Sequence, residues 1–126
     1  MISLGDTIHF YARPDARERL LEFLSSILGL PVRSVTHRYV KGSPEPMYAV
    51  EFSNGKIMSV EFTEEALSNQ QARWGPWFEL RVTDAANVQE KALAFGLQKV
   101  VHPYTPFFYI QAPGGQVFRI VDDHTR

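Results

Sequence analysis

Two stretches of this chain repeat one pattern of apolar and polar positions. Each half opens with a strand-like run, residues 7–13 and 77–82, where β-branched or aromatic side chains alternate with polar ones at period two. A helical stripe follows: Leu20, Phe23, Leu24, Ile27 and Leu28 in the first half, Val88, Ala92 and Phe95 in the second. Gly29 with Pro31, and Gly96, stop these helices. Three shorter strands then close each half, at 32–39, 47–52 and 56–62, and at 98–102, 107–111 and 116–121. Asn54-Gly55 and Pro113-Gly114-Gly115 turn hairpins, because asparagine and glycine tolerate positive φ. Asp15 followed by Glu18 predicts an N-cap and capping box for the first helix, and Asp84 opens the second.

The two halves stay in register. The aspartates are 84 − 15 = 69 residues apart and the glycines 96 − 29 = 67, which marks an internal duplication of one strand–helix–three-strand unit. Residues 1–126 therefore read as a single α+β domain of two modules, about 4–66 and about 75–123. A polar loop at 40–46, a Gln-rich and partly helical linker at 64–74 and a polar tail at 122–126 account for the rest.

With 44% hydrophobic residues in 126, there is material for a real core. A net charge of −1 gives no electrostatic footprint for nucleic acid or an anionic membrane surface. The absence of cysteine excludes disulfides, thiolate nucleophiles and Cys-based zinc sites. No signal-like or membrane-spanning stretch is expected, which points to the cytoplasm.

Arg13-Pro14-Asp15 leading to Ile27-Leu28-Gly29-Leu30, Val82-Thr83-Asp84 leading to Phe95-Gly96, and the ending from Ala112 to Val121 resemble the vicinal oxygen chelate superfamily. That superfamily includes glyoxalase I, extradiol dioxygenases, fosfomycin-modifying enzymes and bleomycin-binding proteins. The resemblance spans nearly the whole chain. It implies tandem βαβββ modules forming a curled, mostly antiparallel eight-stranded sheet around a cavity, with helices outside. Because the fold hosts lyases, oxygenases, transferases and binders, it does not itself set the function. Metal-binding members carry a ligand on the first and last strand of each module. The matching positions are His9 and Glu61 in the first half, Trp77 and Arg119 in the second.

Indole offers no lone pair to a metal, and guanidinium stays protonated. Two ligands are fewer than catalytic zinc or non-haem iron sites normally use. No metal is therefore expected; if Zn, Fe, Mn or Ni does bind, Glu79 would have to join His9 and Glu61. Strand alternation places His9, Tyr11 and Arg13 on one face, Trp77, Glu79 and Arg81 on another, and Arg119 between Val117 and Val121 on a third. The opposite faces, with Phe10, Ala12, Phe78, Leu80 and Val82, are apolar and belong under the helices, so the polar faces line the cup.

Tyr11, Arg13, Trp77, Glu79, Arg81 and Arg119 thus suit a small aromatic or anionic organic ligand, since Arg grips carboxylate or phosphate and Trp stacks. The expected function is small-molecule binding without metal. The alternatives are a lyase or dioxygenase with an altered metal site, or a metal-free acid/base catalyst using His9 and Glu61. A satisfied ion-pair network with Trp77 as a plug is the structural counter-reading. Exposed sheet edges point to a twofold homodimer.

Overall fold

The computed structural model describes residues 1–35, 46–102 and 106–123. Strand β1 (Thr7–Ala12) runs into one helical segment of three geometries: a 3-10 turn over Pro14–Ala16, α1 (Arg17–Glu22) and a π turn over Phe23–Ile27. Strands β2 (Val32–Val35), β3 (Met47–Glu51) and β4 (Ile57–Phe62) follow, then the short linker helix α2 (Asn69–Ala72). The second module repeats the order with β5 (Trp77–Val82), α3 (Ala85–Ala94), β6 (Gln98–Val100), β7 (Tyr109–Gln111) and β8 (Val117–Asp122). The expected second strand beyond Val35, the 40–46 loop before Pro46, and residues 103–105 and 124–126 lie outside the described residues. Among the described residues, no helix is long and apolar enough to cross a membrane.

The first helix starts differently from its sequence signature. Arg13 occupies the N-cap in an extended conformation with no side-chain cap bond, Pro14 takes the first helical position, and Asp15 lies inside the first turn. Proline has no N–H to satisfy and a preset φ, so it rather than aspartate sets the start. A capping box forms instead at the linker, where Ser68 and Gln71 bond each other's backbone N–H through their side chains. Asp84 does cap α3, its carboxylate accepting from the Asn87 N–H at 3.1 Å.

The eight strands divide into two four-stranded sheets, ordered β1-β4-β3-β2 and β5-β8-β7-β6. In each, the first strand pairs parallel with the last, which demands the crossover helix, and the other pairings are antiparallel. The registers of the two sheets correspond. His9 lies opposite Ser59 and Tyr11 opposite Glu61, as Trp77 lies opposite Val117 and Glu79 opposite Arg119.

Apolar faces and helices of both modules merge in one core that includes Phe10, Leu20, Phe23, Leu24, Phe118 and Ile120. The rings of Phe10 and Phe118 meet at 6.3 Å, and Phe23 lies 6.4 Å from Phe118 and 6.5 Å from Phe95. Side chains alternate across a strand, so the polar face of each sheet turns away from this shared core. The β7–β8 hairpin closes tightly over it. At Gly114, with φ +90°, a Cβ would sit 2.7 Å from that of Ala12, and at Gly115, with φ +109°, 2.8 Å from that of Ala72. Both the backbone and the space require glycine there.

Candidate functional site

On the first sheet, parallel pairing of β1 with β4 brings His9 between Ser59 and Glu61. The ring Nδ1 lies 2.6 Å from Ser59 Oγ and Nε2 lies 3.4 Å from Glu61 Oε1. The roles of the two nitrogens follow the tautomer: with the proton on Nε2, facing Glu61, Nδ1 accepts from the Ser59 hydroxyl. Both nitrogens are thereby engaged. The result is an oriented acid/base chain, with Tyr11 edge-on to His9 at a ring distance of 4.9 Å. His9 and Tyr11 open onto a pocket of about 510 Å³ between β1 and the linker, walled by Leu67, Pro76 and Phe78. Ser59, 7% exposed, is a member that sequence reading missed, although it sits two residues before Glu61 on the same strand face.

On the second sheet, Glu79 bridges two arginines. One carboxylate oxygen makes a short charge-assisted bond with Arg119, and the other accepts from Arg81 Nε at 3.2 Å. The Arg119 guanidinium lies 4.0 Å from the Phe107 ring centroid and 5.1 Å from that of Trp77, geometry that suits cation–π attraction. Trp77 meets Tyr109 edge-on at 5.3 Å, and His102 lies 5.2 Å from the same tyrosine. Burial acts to lower the pKa of Arg119, but Tyr109 and Glu79 outweigh it and hold the value above the ordinary one. Arg119 therefore keeps its charge. Its Nε and the Nδ1 of His102 are buried without hydrogen-bond partners among the described residues. Phe107, Tyr109 and His102 extend the site beyond its sequence-read members, because β7 lays Tyr109 directly opposite Arg119.

The other candidates separate. Arg13 lies past the end of β1, donates from Nε to the Ala66 carbonyl at 3.0 Å and lines a different cleft from the His9 and Tyr11 pocket. Among the described residues of a single chain, no three His, Asp or Glu side chains converge as a metal site, and Glu79 is not grouped there with His9 and Glu61. The donor set does not fit the metal that the fold implies: of the four matched positions Trp77 and Arg119 cannot ligate, which leaves His9 and Glu61 alone.

No family model matches the sequence, and no curated protein is significantly similar to it in sequence. Solved structures are similar over nearly the whole chain. A mutant of the fosfomycin resistance protein FosX from Listeria monocytogenes, complexed with Mn(II) and 1S,2S-dihydroxypropylphosphonic acid, is 13% identical with a TM-score of 0.64, over 97% of this chain and 93% of that one. The trypanothione-dependent glyoxalase I of Leishmania major gives 9% identity and a TM-score of 0.69, over 97% and 88%. TnmS3, an antibiotic-binding protein from a Streptomyces species, gives 12% and 0.65, over 96% of each chain. The chain has the vicinal oxygen chelate fold. Within that fold it is similar both to enzymes and to a binding protein.

Proposed function

We propose that this protein binds a small aromatic or anionic organic molecule without using a metal. The observation that carries this reading is the platform on the second sheet, where Trp77 and Arg119 occupy the two positions that the family resemblance assigns to metal ligands. Stacked rings and a fixed guanidinium complement a planar ligand bearing a carboxylate or similar group. A ligand acceptor reaching the unpartnered Arg119 Nε would also recover the penalty of leaving a buried donor unsatisfied. Similarity to TnmS3 supplies a precedent for binding on this fold.

A second reading, metal-free acid/base catalysis, draws on the Ser59–His9–Glu61 chain, in which His9 is held between a hydroxyl and a carboxylate. Turnover of the bound compound, abolished by the near-isosteric His9→Gln with binding retained, would favour it over binding alone. In either reading the working form is a homodimer. The two polar faces turn away from the shared core, so each is half of a cup that a second copy completes.

The test is a thermal-shift screen of aromatic acids and related compounds on protein purified without chelator, alongside metal analysis. Hits should persist in EDTA and disappear in Trp77→Ala and Arg119→Gln. A flat response across a diverse library removes the binding reading. Stoichiometric metal that is lost in Glu61→Ala removes the metal-free one.

A further inference from the structure

We infer that the chain carries a second ligand site, for a small oxyanion, in the cleft between the start of the first helical segment, α2 and the β7–β8 hairpin. Its volume is about 900 Å³, within the range of small-molecule sites. Arg13, Arg19 and Arg73 all line it. None of the three is held by a carboxylate among the described residues. Arg13 donates to the Ala66 carbonyl at 3.0 Å, and Arg19 donates to the Phe95 carbonyl at 2.8 Å while stacking over that ring. Arg73 donates to the side-chain oxygens of Gln111 at 3.1 Å and Gln98 at 3.4 Å.

Neutral acceptors fix the direction of a guanidinium without cancelling its charge. Each arginine retains N–H donors for a bidentate grip on phosphate or carboxylate.

Arg73 is the best-anchored of the three. Gln111 is 7% exposed, and its amide nitrogen donates to the carbonyls of Asn69 at 2.6 Å and Gly115 at 2.9 Å. Its oxygen is therefore turned toward Arg73, so a buried amide aims the cation. Asp15 is the carboxylate in the lining, leaving three positive charges against one negative. The ligand class that matches is a small, multiply charged oxyanion: a phosphate ester, or a di- or tricarboxylate.

Calorimetric titration of the full chain with pyrophosphate and, separately, with citrate tests this, in about 0.05 M salt to limit screening. At least one should bind saturably. Its affinity should fall about tenfold or more in Arg73→Gln and in Arg13→Gln, rise in Asp15→Asn, and stay unchanged in Arg119→Gln, whose lesion lies in the other site. Preference for pyrophosphate assigns a phosphate ester, and preference for citrate a polycarboxylate. Thermal melts confirm that each variant is folded. No saturable binding of either anion, wild-type affinity in both Arg73→Gln and Arg13→Gln, or loss in Arg119→Gln instead would overturn the proposal.

Discussion

At the scale of single residues, Arg119 is the side chain that ties the polar face of the second sheet together. Its charge is held by Glu79, its flat faces by Phe107 and Trp77, and its neighbourhood by Tyr109. Replacing Arg119 with Met should destabilise the fold by about 1–3 kcal/mol, because it leaves Glu79 with Arg81 alone. The Arg119→Met, Glu79→Gln double mutant should cost less than the sum of the singles, a coupling readable from urea unfolding midpoints. Additive losses would mean that the pair contributes nothing beyond its separate packing. The match of His9 with Trp77 was legible because both modules count back from a helix-ending glycine, and that of Glu61 with Arg119 by counting along the hairpins. The places of Tyr109 and Phe107 were not, since they depend on how the Pro113-Gly114-Gly115 turn sets the β7–β8 register, and a one-residue slip would face them the other way.

At the scale of elements, two glycines of similar backbone shape should respond very differently to alanine. Gly29 has φ +67° and open space where an added methyl would sit, whereas Gly114 has φ +90° and meets Ala12 at 2.7 Å. Gly29→Ala should cost about 1 kcal/mol from left-handed strain alone. Gly114→Ala adds overpacking against the end of β1 and should cost about 2–4 kcal/mol in all. Equal losses in thermal unfolding would show that the hairpin yields and that the close approach to β1 is not rigid. The same region explains a misread helix start. Asp15 followed by Glu18 has the residue spacing of a capping box, but Pro14 can enter the helix directly after Arg13, and it moves the start earlier than an Asp15 cap would allow.

At the scale of the molecule, the shared core decides where the polar faces go. Phe23 of the first module packs on Phe95 and Phe118 of the second, so the helices meet between the modules and His9 with Glu61 faces away from that contact, as does Trp77 with Arg119. A homodimer that sets the first sheet of one copy against the second sheet of its partner makes two equivalent cups, each built from both chains. A mixing experiment separates this from a site contained in one chain. One variant carries His9→Ala and Glu61→Ala, the other Trp77→Ala and Arg119→Gln, and neither alone should bind the compound found in the thermal-shift screen. In a mixed dimer one cup collects all four lesions and the other none. With free exchange, about half the dimers are mixed and half of their cups are intact, so the mixture should recover about a quarter of wild-type capacity. Recovery demands that the two half-sites come from different chains. A mixture that binds nothing, or a monomeric mass by sedimentation, leaves each polar face without the partner that this arrangement requires.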